Sequence, residues 1–216
     1  MSESGLPLYD REDVRAALET GSAATPRVAG VVLAGGRSSR FGDENKLLAS
    51  LDGEPVVRHA ASTLVDADLA DTVVVLGHEA AAVRSAVTDL DARCVMNSAY
   101  ERGMSTSVVR GVRAVANADA VVFLPGDMPL VASDTVGLLV SGYRAGIGTA
   151  LAAAHDGRRG NPVLFGHTHF EDLRSLDGDT GGLPVLLDGT DSALVETGDP
   201  GTRRDVDTGA DLDRLR

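Results

Sequence analysis

The stretch Val31-Val32-Leu33-Ala34-Gly35-Gly36-Arg37-Ser38-Ser39-Arg40-Phe41-Gly42, closed by Lys46, most constrains how this chain can fold. Val28 to Leu33 is an apolar run of strand length, and the loop behind it holds three glycines, two serines and two arginines. Glycine has no Cβ, so such a loop can bring backbone N–H groups against phosphate oxygens. Arg37, Arg40 and Lys46 supply the positive charge that a polyphosphate needs. Two familiar phosphate loops are excluded. A Walker A loop requires lysine directly after its last glycine, and Gly42 is followed by Asp43. The dinucleotide motif spaces its first two glycines by one residue, and here Gly35 and Gly36 are adjacent.

Lys46 is the single lysine in the chain, although lysine and arginine together number 20. Arginine replaces lysine on a solvated surface at little cost, but not where a compact point charge must fit. A chain that uses arginine everywhere else therefore points to a specific task for Lys46. The bland alternative is the chance survival of one surface lysine.

With 216 residues, 43 % of them hydrophobic, the chain can bury a sizeable core. It has no apolar run near the roughly 20 residues that span a bilayer. Met1 to Gly21 is acidic and lacks the apolar centre of a secretory signal. Cys94 is alone, so no intrachain disulfide can form. These features predict a cytoplasmic protein without a membrane partner. The formal net charge of −12 argues against nucleic acid as a partner. Abundant aspartate and scarce lysine predict an acidic surface of halophilic type, which stability measured against salt concentration would check.

Taken in order, residues 1–26 read as an N-terminal extension, with a short helix capped by Asp10 and a breaker-rich linker from Gly21 to Pro26. Residues 27–216 read as one domain. After the glycine loop, helical spacing covers Pro55–Val65, Ala80–Val87, Ser105–Val115 and Thr135–Tyr143. Strand patterns cover Thr72–Leu76, Cys94–Met96 and Ala120–Leu124. The alternation predicts an α/β fold with a mostly parallel sheet and helices on both faces. Ligands of such sheets lie beyond the carboxyl ends of the strands, where Gly77, Asn97 and Asp127 join the glycine loop. Further on, Thr149–Ala154 and Pro162–Phe165 read as strands joined by a polar turn from His155 to Asn161. Phe170–Leu176 reads as a helix, Ser192–Glu196 and Arg203–Val206 as strands, and Thr208 onwards as a final helix.

Asp127 ends an apolar strand before Met128-Pro129, where a turn aspartate is common. Beside a phosphate loop, it becomes a candidate Mg²⁺ ligand, because Mg²⁺ takes one or two carboxylates plus phosphate oxygens and water. Asp205 and Asp207 both lie in the segment ahead of the last helix; one of them is expected to face the site, and Asp207 is preferred. Gly103 to Ser107 places small hydroxyls at a helix N-terminus, which is a cap and also an anion site. Arg158-Arg159-Gly160-Asn161-Pro162 puts two cations in a turn. The five histidines show no zinc-ligand spacing, and His167 and His169 read as surface residues.

In order, the chain carries the Leu33-to-Lys46 loop, Gly103-Met104-Ser105-Thr106-Ser107, Pro125-Gly126-Asp127-Met128-Pro129, Arg159-Gly160-Asn161-Pro162-Val163-Leu164-Phe165, Asp177-Gly178-Asp179-Thr180-Gly181 and Asp205-Val206-Asp207-Thr208. This series resembles the molybdenum cofactor nucleotidyltransferases, the MobA-like NTP transferases that act with GTP or CTP, closest to their cytidylyltransferase branch, over about Val28 to Leu215. The resemblance implies a single-domain, Rossmann-like three-layer sandwich of the nucleotide-diphospho-sugar transferase type. It also implies transfer of a nucleoside monophosphate to the phosphate of molybdopterin, with release of pyrophosphate. By motif position, Arg40 and Lys46 would be catalytic. Leu33, Ala34, Gly35, Gly36, Arg37, Gly77, Asn97 and Ser105 would bind the nucleotide. Asp127 and Asp207 would hold Mg²⁺, and Arg159, Asn161 and Asp179 would face the acceptor. The implied partners are the nucleoside triphosphate and molybdopterin, with a molybdoenzyme or its chaperone downstream.

Two departures stand out. The cytidylyl branch usually has alanine where Gly35 stands. It also continues Gly-Asp-x-Gly with Ala-Arg, where this chain has Gly182-Leu183. The alternative readings are a sugar- or polyol-phosphate nucleotidyltransferase and a nucleotide-binding regulator without catalysis.

Overall fold

A computed structural model describes residues 5–20, 25–38, 40–42 and 44–215. Of the features named above, Gly21 to Ala24 of the linker and Ser39 and Asp43 of the glycine loop lie outside the described residues. The elements run β1 (Leu8–Tyr9), α1 (Arg11–Thr20), β2 (Val28–Ala34), β3 (Ser50–Leu51), β4 (Glu54–Pro55), α2 (Val56–Val65), β5 (Asp71–Leu76), α3 (Ala80–Ala86) and β6 (Arg93–Met96). Then follow α4 (Met104–Ala114), β7 (Ala120–Pro125), α5 (Ser133–Arg144), β8 (Ala150–His155), β9 (Arg158–Gly166), α6 (Phe170–Arg174), α7 (Leu183–Asp188), β10 (Ser192–Glu196) and α8 (Gly209–Leu215).

Among the described residues, eight strands form one sheet in the order β1-β10-β8-β9-β7-β2-β5-β6. All neighbours are parallel except β9, which runs antiparallel to both β7 and β8. The central strands are apolar on both sides because helices cover both faces. Along β2, Val28, Val32 and Ala34 join one core with α2, α3 and α5, while Ala29 and Val31 join another with α4, α6 and α7. Alternate side chains of a strand point to opposite faces, so one apolar run serves both cores. Parallel pairing sets Leu33 beside Pro125 and Ala34 beside Leu76, so these strands end level with one another.

The stretch set apart as an N-terminal extension contributes to this body. Leu8 and Tyr9 pair in parallel with Leu194 and Val195 at the sheet edge. The helix α1 then lies on α5. Its Asp10 cap accepts from the Glu12 and Asp13 N–H groups at 2.8 and 2.9 Å. Val14, 1 % exposed, enters the same core as α2 and α5.

Three local expectations change. The turn between β8 and β9 shrinks to Asp156-Gly157, because His155 pairs with Arg158 and Ala154 with Arg159. Both turn residues have positive φ, at 53° and 70°, which is the chemistry of a two-residue hairpin. Arg203 to Val206 is not a strand. Asp199 caps a 3-10 turn over Pro200–Arg203, and the chain then continues extended without a strand partner. Helix α7 went unread because Gly181-Gly182-Leu183-Pro184 looks like a breaker, although proline suits a first helical turn. The helices and remaining strands lie within a few residues of their expected limits.

Val14→Ala tests whether the first segment belongs to the folding unit. Loss of the buried methyls should lower unfolding free energy by about 1–3 kcal/mol, read from urea denaturation. An unchanged midpoint would mean that α1 folds independently of the domain.

Candidate active site

The level strand ends place four loops on one edge of the sheet, around a cavity of about 680 Å³. It is lined by the glycine loop, the segment Tyr100 to Met104, Ser107, Asp127, Asp179, and Asp205 with Asp207.

Lys46 sits at the base of one wall. Ser38 Oγ accepts from the Lys46 backbone N–H at 3.2 Å and donates to Asn45 Oδ1 at 3.1 Å. Asn45 Oδ1 also accepts from the Leu47 N–H at 3.1 Å, capping a short 3-10 turn over Lys46–Leu48. Leu47 is buried, which anchors that turn. From it, Lys46 Nζ donates to Asp127 Oδ2 at 2.5 Å and to Asp207 Oδ1 at 2.7 Å. Arg40 Nη1 donates to the other oxygen of Asp207 at 2.7 Å. The Val206 N–H donates to the Asp127 carbonyl at 2.8 Å, which fastens the C-terminal segment beside β7.

The electrostatics follow from this geometry. Burial alone would lower the Lys46 pKa, but the charge and hydrogen bonds of Asp127 and Asp207 outweigh it and hold the ammonium above its ordinary value. Burial pushes Asp127 up; Lys46 opposes this, and the charge of Asp205 adds to it. The hydrogen bond from Lys46 draws Asp207 down against a smaller burial effect, with help from Arg40. Lys46, with a side chain only 13 % exposed, is a working part of this cluster and not a solvated surface residue.

A second group forms the wall beneath Gly35. A Cβ built on Gly35 would lie 2.9 Å from Ser107 Oγ. Asn97 Nδ2 donates to that oxygen at 3.0 Å and to Thr106 Oγ1 at 2.9 Å. Gly77 backs the same wall so closely that its Cβ would lie 2.6 Å from the Gly35 carbonyl oxygen. Opposite, the loop Asp177 to Gly182 is fastened to the start of α4. Asp179 Oδ1 accepts from the Met104 N–H at 3.1 Å, and the Gly178 carbonyl from the Ser105 N–H at 3.3 Å. Gly103, at φ 110°, permits the contact, since a side chain there would run into the Gly178 carbonyl.

Leu33, Gly35, Gly36, Arg37, Arg40, Lys46, Asp127, Asp179 and Asp207 thus meet around one cavity. Ala34, Gly77 and Asn97 are absent from its lining. Asn97 stands behind Ser107 and orients it. Ser105 turns away: it is 1 % exposed, and its hydroxyl has no hydrogen-bond partner. Side chains on a helix turn by about 100° per residue, so Ser105 and Ser107 cannot share a direction. Arg159 and Asn161 lie in β9, outside the lining. Asp205 lines the cavity together with Asp207, so the expectation that only one of them faces the site does not hold: residues two apart on an extended segment share a face. Reading the sequence also missed Tyr100 and Arg102, whose only signal was their place after Asn97 at a strand end. His169 is half-buried rather than a surface residue, its Nε2 2.9 Å from Thr149 Oγ1.

The described residues gather no group of three or more His, Cys, Asp or Glu side chains that could hold a metal ion. Asp127 and Asp207 nevertheless converge on one point, as both reach the same ammonium. Two carboxylates facing a phosphate loop fit a hard divalent cation that completes its shell with phosphate oxygens and water. No helix among the described residues is long and apolar enough to cross a membrane.

Residues 30–193 match the family model described as MobA-like NTP transferase domain. A protein of Paenarthrobacter nicotinovorans named nicotine blue oxidoreductase is 31 % identical over 88 % of this chain and 97 % of its own. The probable molybdenum cofactor guanylyltransferase of Haloferax mediterranei is 33 % identical over 56 % of this chain and 57 % of its own. Among solved structures, a nucleotidyl transferase from Methanothermobacter superposes with a TM-score of 0.77 at 27 % identity, covering 88 % of this chain and 96 % of that one. Rv0371c of Mycobacterium tuberculosis in complex with manganese gives a TM-score of 0.70 at 27 % identity, covering 88 % of this chain and 97 % of that one.

Two substitutions test the cluster. Asp127→Asn keeps the shape but removes the charge, and should abolish nearly all turnover while circular dichroism stays native. Lys46→Arg keeps the charge but replaces a compact ammonium by a larger, planar guanidinium in a site shaped for the former, and should slow turnover by about 10²–10³. Wild-type kinetics in either variant would dissociate that residue from the chemistry.

Proposed function

This chain belongs to the MobA-like NTP transferase family, and from that premise we propose that it transfers a nucleoside monophosphate from GTP or CTP to the phosphate of molybdopterin. The observation that carries this reading is the Lys46 ammonium held between Asp127 and Asp207 at the foot of a glycine loop. The reaction joins two anions, so its main requirement is charge neutralisation in a fixed place. An oxygen of the acceptor phosphate attacks the α-phosphorus of the triphosphate. The bond from that phosphorus to the bridging oxygen of the β-phosphate breaks, and pyrophosphate leaves.

The glycine loop supplies backbone N–H groups to the phosphates, and Arg37, Arg40 and Lys46 offset their charge. Lys46 donates through a compact group able to follow the oxygen on which charge collects. Asp127 and Asp207 would hold Mg²⁺, which, when bound, lends further positive charge to the triphosphate. The manganese complex of Rv0371c supports a divalent cation in this fold. The Haloferax mediterranei guanylyltransferase supports the acceptor and the purine.

A second reading is favoured by one observation: the Paenarthrobacter nicotinovorans relative, matched over 97 % of its length, is named an oxidoreductase. One screen separates the two. Purified protein is incubated with Mg²⁺, each triphosphate in turn and either molybdopterin or a sugar phosphate, and pyrophosphate release is measured. Release that depends on molybdopterin supports transfer to that acceptor. Release only with a sugar phosphate moves the acceptor to the other class, and no release with any acceptor overturns the transfer reading.

Base choice is assigned to the wall beneath Gly35. Without a Cβ, Gly35 leaves Ser107 and Asn97 undisturbed and leaves room for a purine, so GTP is the expected donor, ahead of CTP. Gly35→Ala would press a methyl to within 2.9 Å of the Ser107 hydroxyl unless that wall shifts. The expected result is a change in the GTP/CTP ratio of kcat/KM toward CTP by about 10–200-fold. An unchanged ratio would take base reading away from this position.

A further inference from the structure

We propose that Arg102 binds the phosphate of the acceptor, so that the two reacting anions meet between the glycine loop and the short turn ahead of α4. This rests on the nucleotidyl-transfer reading. Two phosphates must be brought together, and each needs its own positive charge. The described cavity lining offers Arg37, Arg40, Lys46 and Arg102. Arg40 and Lys46 are bound to Asp207 and Asp127, and Arg37 belongs to the glycine loop that takes the triphosphate. Arg102 is the remaining cation, and it stands on a different segment.

Its surroundings suit a guest. The Arg102 side chain is 73 % exposed, and among the described residues its ion-pair contact is with Asp177, at 4.0 Å, the outer limit of such a pair. A guanidinium this loosely engaged can turn to a phosphate and meet it with two N–H groups. Asp177 belongs to the loop that Asp179 and Gly178 fasten to the start of α4, so the contact lies at the rim of the same cavity. Arg159 cannot take this part from β9, since it does not line the cavity. In the transfer step Arg102 neither gains nor loses a proton; it holds the attacking phosphate and offsets its charge.

The test is the separation of two Michaelis constants. In Arg102→Gln, the KM for molybdopterin should rise about 10-fold to 100-fold while the KM for the triphosphate stays within about twofold. Arg37→Gln should show the opposite split. Asp177→Asn should lower the acceptor KM, because it removes the carboxylate that competes for Arg102; a residue that merely tethered the loop would give no such gain. A rise in the triphosphate KM alone, or no change in either constant in Arg102→Gln, would overturn the assignment. Binding separates this result from the transfer reading itself. Protein loaded with a non-hydrolysable GTP analogue is titrated with inorganic phosphate by calorimetry. A loss of about 10-fold in phosphate affinity in Arg102→Gln, with Arg37→Gln unaffected, supports the site whether or not molybdopterin is turned over. Equal affinity in wild type and Arg102→Gln overturns it.

Discussion

Lys46 Nζ holds three distant segments of the chain on one point. Its partners lie 81 and 161 residues further on, at the end of β7 and just before α8. Charges in a partly dry cleft are costly unless paired and hydrogen-bonded, and here one ammonium serves two carboxylates. Lysine can do this because its donors point in three directions from a small centre, whereas a guanidinium presents a flat fork. The interaction also explains why the single lysine of the chain occurs here. Withdraw the ammonium, and Asp127 and Asp207 repel each other across the floor of the cavity, with Asp205 adding to the strain. On the proposed function, the cation offered to the triphosphate and the cation that holds the three segments together are the same group.

What the rest of the fold contributes is alignment. Parallel strands in register end level, so loops following β2, β5, β6 and β7 open onto one edge without any one of them being long. The antiparallel strand β9 interrupts this pattern, and its first residues stay out of the cavity. The C-terminal segment then returns to the edge by one backbone hydrogen bond, from Val206 to Asp127. Chemistry in this molecule lies at the ends of elements, while their apolar middles form two cores on either side of the sheet.

Much of this was legible in the sequence. The strand-ending positions, the glycine loop, Lys46, Asp127 and Asp207 each carry a local signal, since apolar runs and breakers mark where strands stop. What could not be read depends on phase and on contacts between distant segments. The serines at the start of α4 looked equivalent as a cap, but helical rotation sends Ser105 inward and Ser107 to the cavity. Asp205 was set aside although residues two apart on an extended segment share a face, so the pair should have been read together. Leu8 and Tyr9 form an element too short for a periodic signal, and Val14 alone betrays which face of α1 is covered. The seating of Gly178 against Gly103 has no signature in either segment taken singly.

The hydrogen bond from Val206 to Asp127 has a consequence during biosynthesis. A ribosome delivers Lys46 and Asp127 long before Asp207, because translation runs from the N-terminus. The sheet from β2 to β7 can be assembled on the nascent chain, with its glycine loop already formed, while one of the two carboxylates is still in the tunnel. Until Asp207 emerges, Lys46 has Asp127 alone to pair with, and Arg40 lacks its carboxylate partner. Chains released early would keep Lys46 and Asp127 and still lack the second carboxylate that the ammonium binds.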